Sequence, residues 1–161
     1  DVALLGAAQI DRYGNLNSTV IGSYDRPKVR LPGSGGACEI AINARRVLII
    51  STLAKRTFVE KVDFLTSPGF LRGKAEWKKL NLPGAGPQQV ITDKCVFDFH
   101  PETGEMRLAS LHPGVTVDQV QAEIGWSDLC IAEDLRATEP PSEDYLRIMR
   151  EDLDPEGLYR T

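Results

Sequence analysis

Apolar residues along this chain form two patterns: continuous runs of strand length, and a spacing of three to four residues that is typical of a helix. Residues 2–10 form a nearly continuous apolar run of strand length, and residues 11–15 are rich in turn formers. The pattern predicts one strand over 2–10 with a hairpin partner over 17–21. Two prolines in residues 24–32 make that stretch irregular or an edge strand.

A short amphipathic helix is predicted after residue 36. Its apolar side chains recur at the helical spacing i, i+3, i+4 and i+7: Ala37, Ile40, Ala41 and Ala44. Residues 47–50 are then apolar throughout, which is typical of a central strand buried on both faces. Strand, glycine-rich bend, helix and buried strand in this order indicate an α/β layered domain rather than an all-β sandwich.

The second half of the chain predicts shorter elements. Further strands are expected at 56–64, 89–92, 95–99 and 106–111. A short exposed helix is expected over 74–79, and the glycines and prolines of 82–87 predict a surface loop. A capping-box pattern at Thr116 predicts a helix that stops at Gly125, and Ser142 begins the last helix.

Composition places the chain among globular domains. It has 161 residues, of which 42% are hydrophobic and 26% charged, and no internal repeat, so we expect a single domain. A formal net charge of −4 disfavours nucleic acid and anionic membranes as partners. No apolar stretch approaches the about 20 residues that span a bilayer, and no basic flank of a signal peptide is present, so we expect a soluble cytoplasmic protein.

Cysteine and histidine are few and widely separated. Cys38, Cys95 and Cys130 form no C-x-x-C pair, and His100 and His112 do not share a metal-ligand spacing. The sequence therefore predicts neither a disulfide framework nor a metal site.

The bend at residues 31–37, Leu-Pro-Gly-Ser-Gly-Gly-Ala, is the strongest candidate for a site. Its glycines allow positive φ and close approach to a ligand, and the following helix start offers unpaired N–H groups. The same bend also suits an ordinary strand-to-helix connection. Cys38, next along the chain, is either a thiol activated near a helix start or a small core residue.

Two polar groups elsewhere have two interpretations each. One group at a predicted strand end is either a ligand site or an Asx-stabilised turn: Asp11, Tyr13, Gly14, Asn15 and Asn17. The other group is either a phosphate contact or a solvated helix face: Lys74, Trp77, Lys78 and Lys79.

Longer motifs carry a family resemblance. They are GAAQIDRYGNLNST at 6–19, RLPGSGGA at 30–37, VDFLTSPG at 62–69, LPG at 82–84, VITDK at 90–94 and Asp-Pro at 154–155. In this order they closely resemble the B subunit of glutaconate CoA-transferase-like proteins, members of the class I CoA-transferase family. The resemblance covers nearly the whole chain.

The resemblance implies a three-layer α/β/α sandwich of the CoA-transferase type. It also implies an active site at the junction with an A subunit, in a heterodimer or heterotetramer, and a coenzyme A thioester as substrate rather than a tightly bound cofactor. The expected reaction moves CoA between small, dicarboxylic acids through a glutamyl-CoA thioester. The candidate substrate- and CoA-binding residues are Gly33, Ser34, Gly35, Gly36 and Ala37, with Asn15 and Asn17.

The catalytic residue of this chain is unknown from its sequence. By the resemblance, the nucleophilic glutamate precedes the stretch that Asp1 begins, so residues 1–161 are expected to be the C-terminal part of a longer B subunit, active only with its partner. Relatives of this fold without that glutamate act as decarboxylases or ring-opening hydrolases on CoA thioesters. The sequence leaves those reactions, and a non-catalytic assembly role, as alternatives.

Overall fold

The computed structural model describes residues 1–159 and contains ten strands within them. In chain order they are β1 (Val2–Leu5), β2 (Gln9–Ile10), β3 (Leu16–Asn17), β4 (Val20–Gly22), β5 (Pro27–Arg30), β6 (Arg46–Ile50), β7 (Pro87–Ile91), β8 (Cys95–Phe99), β9 (Met106–Leu111) and β10 (Cys130–Ala137).

Six of these strands form one mixed sheet in the order β1-β6-β7-β8-β9-β10. The pairs β1–β6, β6–β7 and β9–β10 are parallel, and the pairs β7–β8 and β8–β9 are antiparallel. The remaining four strands form two small antiparallel pairs, β2–β3 and β4–β5. Parallel neighbours are joined through helical crossovers, so the α/β class predicted from the sequence is confirmed.

The described residues contain four α-helices: α1 (Ala37–Asn43), α2 (Lys74–Lys79), α3 (Val117–Ala122) and α4 (Glu143–Arg147), which continues as a π-helical turn over Ile148–Leu153. The capping box of α3 is formed as predicted, since Gln119 N donates to Thr116 Oγ1 (3.3 Å) and Thr116 N donates to Gln119 Oε1 (2.9 Å). The helix ends at Ala122, before the predicted stop at Gly125. Within residues 1–159, none of these helices is long and apolar enough to cross a membrane.

The prediction of one strand over 2–10 is wrong. β1 ends at Leu5, and β2 belongs to a different sheet, where it pairs with β3. The hairpin partner predicted over 17–21 is correct only at Asn17, because Val20 and Ile21 belong to β4 and pair with β5. Ile10 N donates to Thr57 O (2.7 Å) and Ile10 O accepts from Val59 N (3.0 Å), so the chain leaves the large sheet after Gly6 to meet the 57–59 segment. Apolar content alone did not reveal this break.

One further strand prediction is wrong, and one strand was not predicted. Residues 56–64 do not form a strand, because only Phe58 bridges to Ile10 there and the flanking residues turn. β10 is not predicted from the sequence. Its residues are mostly exposed or half-buried and carry no alternating apolar pattern, and a register shift between Ile131 and Arg136 interrupts its pairing with β9.

The large sheet is buried on one face only. Val47 and Ile49 of β6 are 2% and 1% exposed, whereas Ile50 is 51% exposed, so the prediction of a strand buried on both faces is wrong for this chain. Strand register places six apolar residues together on the exposed side, here called the open face: Val2, Leu4, Leu48, Ile50, Ile91 and Val96. The opposite face packs against the aromatic core around Phe58 and Phe97.

Candidate functional site

The glycine turn, residues 33–36, connects β5 to α1 at the surface. Gly33 has φ +94° and Gly35 has φ +49°, backbone conformations that favour glycine. A Cβ at either position would meet no atom within 4 Å. The positive φ angles therefore explain why glycine occupies these two positions, since the space beside each Cα would admit a side chain.

A polar corner holds the glycine turn in place. Gly33 N donates to Ser18 O (2.8 Å), and Ser18 Oγ donates to Gly33 O (2.9 Å). Thr66 Oγ1 in turn accepts from Ser18 N (3.0 Å) and lies 2.7 Å from Thr19 Oγ1. Ser18, Thr19 and Thr66 were not singled out from the sequence, although the quoted motifs at 6–19 and 62–69 contain them.

Three consecutive N–H groups of the turn are available to a ligand. Across residues 1–159, no protein acceptor meets the backbone N–H groups of Ser34, Gly35 and Gly36. The next N–H, that of Ala37, donates to Ser34 O (2.8 Å) and closes the turn. Backbone N–H groups without a protein acceptor can stabilise a carbonyl oxygen that gains negative charge, provided that they point at it.

Asn17 precedes Ser18 in the chain, and its side chain lies inside the protein. It is 0% exposed, and its Nδ2 donates to Gln9 Oε1 and Val20 O, both at 2.7 Å. Its Oδ1 accepts from Thr19 N (3.0 Å) and Val20 N (3.3 Å). These bonds fix the corner that carries Ser18, and a contact between Asn17 and substrate stays a prediction.

Asn15 lies farther from the glycine turn. Its Nδ2 donates to Asp11 and to Leu71 O (2.8 Å), and its Oδ1 accepts from Gly69 N (2.9 Å) and Leu71 N. It also lines a cavity of about 920 Å³, together with Asp11. The polar group at the strand end is therefore an Asx-stabilised turn beside a cavity, and a substrate contact by Asn15 stays a prediction.

Asp11 is the buried charge of this region. Burial raises the pKa of its carboxyl, while hydrogen bonds from Asn15 and from Tyr13 N act in the opposite direction. The neighbouring Arg12 forms ion pairs with Glu105 and, at 3.0 Å, with Asp128. Its guanidinium holds the pKa of the exposed Asp128 carboxyl below the usual range.

Cysteines lie in two environments. Cys38 is half-buried at the start of α1, one residue beyond the predicted binding segment. Cys95 is 0% exposed, and burial raises the pKa of its thiol to about 11. Within residues 1–159, no cluster of three or more His, Cys, Asp or Glu side chains could hold a metal ion.

A protein-family model and the curated relatives of this chain both point to CoA-transferases. Residues 1–123 match the family described as Coenzyme A transferase. Over 150 residues the chain is 50% identical to the B subunit of the 3-oxoadipate CoA-transferase of Pseudomonas knackmussii, and the match covers 93% of this chain and 57% of that one.

Two further relatives extend the comparison. The crystal structure of glutaconate CoA-transferase from Acidaminococcus fermentans superposes with a TM-score of 0.90 at 39% identity, over 99% of this chain and 61% of that chain. One subunit of the cholesterol ring-cleaving hydrolase of Mycobacterium tuberculosis is 33% identical over 157 residues, covering 96% of this chain and 61% of that one. The chain thus spans about three-fifths of the length of these relatives.

Proposed function

We propose that this chain is part of the B subunit of a heteromeric CoA-transferase, because it belongs to the coenzyme A transferase family. The family resemblance drawn from the motifs is confirmed by these matches. The observation that carries the proposal is the glycine turn, whose three N–H groups face no protein acceptor within residues 1–159 and whose position is fixed by Ser18.

The proposed reaction is an exchange of CoA between two carboxylic acids. A glutamate carboxylate of the B subunit attacks the acyl-CoA carbonyl, which forms an acyl–glutamyl anhydride and releases CoA thiolate. The thiolate then attacks the glutamyl carbonyl, giving glutamyl-CoA thioester and the free donor acid. The acceptor acid reverses these two steps and leaves as its CoA thioester.

Each attack places negative charge on a carbonyl oxygen, and stabilising that oxygen is the role we assign to the glycine turn. Backbone N–H groups fixed before the reaction stabilise such charge without having to reorient. Gly33, Ser34, Gly35, Gly36 and Ala37 would form the wall of the site, and Asn15 and Asn17 are proposed as further substrate contacts. The attacking glutamate would come from outside residues 1–161.

The open face supports the proposal that this chain is part of a larger subunit. Val2, Leu4 and Ile50 are 53%, 65% and 51% exposed on one side of β1 and β6, in the parallel part of the mixed sheet. Sheets of this kind are normally covered on both faces. We propose that the remainder of a full-length B subunit, as long as the relatives, covers the open face as the missing layer of a three-layer sandwich.

The partner, substrate and location follow from the same proposal. The chain would act with an A subunit in a heterodimer or heterotetramer, because the relatives carry subunit names. Their names, 3-oxoadipate and glutaconate, denote dicarboxylic acids and support dicarboxylic acyl groups as substrates. A cytoplasmic location stays a prediction.

Covalent trapping tests the reaction. Full-length B subunit is purified with its A subunit, incubated with glutaryl-CoA or succinyl-CoA, and treated with borohydride, which reduces a glutamyl thioester to an alcohol. Peptide mass spectrometry should find one modified glutamate in the B subunit, and only when acyl-CoA was present. Steady turnover with unmodified B-subunit glutamates would contradict the transferase mechanism.

Two glycine substitutions test the site itself. Gly33 (φ +94°) and Gly114 (φ +82°) both have positive φ and open space beside Cα, so replacement by alanine imposes comparable backbone strain at both. In the complete enzyme, Gly33→Ala should lower kcat/KM by at least about tenfold, since misplaced oxyanion donors lose much of their effect. Gly114→Ala should lose a similar amount of stability and keep its activity. Equal activities of the two variants would remove the glycine turn from the site.

A CoA-thioester hydrolase or decarboxylase is the second candidate, favoured by the 33% identity to the ring-cleaving hydrolase subunit. It predicts consumption of acyl-CoA, with release of carbon dioxide or formation of a ring-opened acid, when no acceptor acid is added. The transferase instead requires an acceptor. Retention of acyl-CoA affinity by the B subunit alone would argue against a purely structural role.

A further inference from the structure

A basic recess lies at the opposite end of α1 from the glycine turn. Its volume is about 410 Å³, and its lining includes three cationic side chains, those of Arg45, Arg46 and Lys74. Arg45 follows α1, Arg46 is the first residue of β6, and Lys74 is the first residue of α2. Two segments that are distant in sequence, residues 45–46 and the start of α2, therefore bring the same sign of charge to one cavity.

The three cations lack carboxylate partners. Within residues 1–159, no ion pair involves Arg45, Arg46 or Lys74. Arg46 donates from Nε to the neutral Gln88 Oε1 (3.1 Å), and Lys74 Nζ lies 5.0 Å from the centroid of the Phe70 ring. Neither the amide of Gln88 nor the ring of Phe70 carries a negative charge, so the charges of Arg46 and Lys74 are not neutralised.

Asp98 is the single carboxylate that the described part of the chain places in the lining of the recess, and another residue already balances it. Its Oδ1 accepts from Arg107 Nε (2.6 Å) and its Oδ2 from Arg107 Nη2 (2.9 Å), a two-pronged pair. The recess therefore has an excess of positive charge in a chain whose formal net charge is −4. Such a local concentration attracts anions.

We propose that this basic recess binds the phosphate group of a small phosphorylated ligand. Arginine presents a planar fork of donors that fits phosphate oxygens, and lysine adds a mobile point charge. The volume exceeds that of a phosphate ion, which leaves room for the group that carries it. The half-buried aliphatic stem of Lys74 rests on Phe70 and Gly104, which holds its ammonium group near the recess.

The phosphate has two possible sources, and both have the same chemistry. It belongs either to the nucleotide end of the acyl-CoA substrate, in which case this inference rests on the proposed function, or to a separate phosphorylated effector. From the sequence alone, Lys74 is either a phosphate contact or part of a solvated helix face. The convergence with Arg45 and Arg46, which are distant in sequence, favours the phosphate contact.

Calorimetric titration with inorganic pyrophosphate tests the recess directly. The complete enzyme is compared with the double variant Arg45→Gln/Lys74→Gln and with the charge-matched control Lys78→Gln/Lys79→Gln, whose side chains are exposed on the same helix outside the recess. The recess variant should bind pyrophosphate at least about tenfold more weakly, and the control should bind as the unmodified enzyme does. Absence of pyrophosphate binding by the unmodified enzyme, or equal weakening in both variants, would overturn the inference.

Kinetics then distinguish the two sources. If the recess holds the phosphates of acyl-CoA, pyrophosphate competes with acyl-CoA, and the recess variant raises KM with kcat unchanged. If it holds a separate effector, pyrophosphate binds without competing and KM stays constant. Because pyrophosphate binding is read without turnover, failure of the transferase reaction would leave this result intact.

Discussion

Ser18 and Gly33 exchange two hydrogen bonds, one from the backbone of Gly33 and one from the hydroxyl of Ser18. Their backbones are 15 residues apart in sequence, and the contact fixes the open end of the glycine turn to the corner that follows β3. Gly35 O accepts from Ser34 Oγ (3.3 Å), a longer bond that stays within the turn. The position of the free N–H groups therefore depends on Ser18 more than on the glycines alone.

Replacing Ser18 by alanine tests this dependence. Ser18→Ala removes the bond to Gly33 O (2.9 Å), and the free energy of unfolding should fall by about 1 kcal/mol. In the complete enzyme kcat/KM should fall as well, because the turn can shift. Ser18→Thr keeps the hydroxyl and should recover most of both losses, as measured by urea unfolding and steady-state kinetics. If Ser18→Thr lost as much stability and activity as Ser18→Ala, the hydroxyl bond to Gly33 O would not be the cause of the losses.

Gly69 should be the glycine least tolerant of a side chain. A Cβ there would lie 2.3 Å from Tyr13 O and from the backbone carbon of Gly14, which cannot move aside easily. Gly69→Ala should therefore lower the free energy of unfolding by more than about 2 kcal/mol. In Gly36 the nearest atom is 3.9 Å away and φ is −87°, so Gly36→Ala should change stability by less than about 1 kcal/mol. Chemical unfolding of the two variants side by side measures the contrast.

Local signals predicted the elements that depend on local chemistry. The capping box at Thr116 and the cap at Ser142 are set by neighbouring residues, and both are present. The strand predicted over 2–10 failed because its end at Leu5 is decided by contacts with residues 57–59, far away in sequence. β10 escaped detection because its exposed residues carry no apolar period.

The candidate site was likewise predictable only where local chemistry determines it. Glycines at 33, 35 and 36 mark the bend because positive φ at two of them demands glycine. The support from Ser18 and Thr66 has no sequence signal, since small hydroxyl residues are common and their partners lie 15 and 48 residues away. The basic recess likewise assembles Arg45 with Lys74 only in the folded chain.

Thiol labelling should separate the cysteines by burial. Cys95 is 0% exposed and its thiol has a pKa of about 11, so at pH 8 almost none of it is thiolate. In the folded protein iodoacetamide should leave Cys95 unmodified and alkylate the half-buried Cys38, and denaturant should make both reactive. Peptide mass spectrometry over time checks this. Fast labelling of Cys95 under native conditions would show that its strand opens readily.

The pH dependence of stability should carry a contribution from Asp11. Burial raises the pKa of its carboxyl above the ordinary value of 3.8, so the folded protein holds this proton more tightly than the unfolded chain. The sign follows directly: the ionised group destabilises the fold above the raised pKa, and this penalty is relieved as pH falls through that pKa toward 3.8. Asp11→Asn cannot titrate, so the stability of the unmodified protein relative to this variant should rise as pH is lowered through the window. Urea unfolding of both proteins at a series of pH values measures the difference, and a difference that stays constant or shrinks toward acid would contradict a raised pKa.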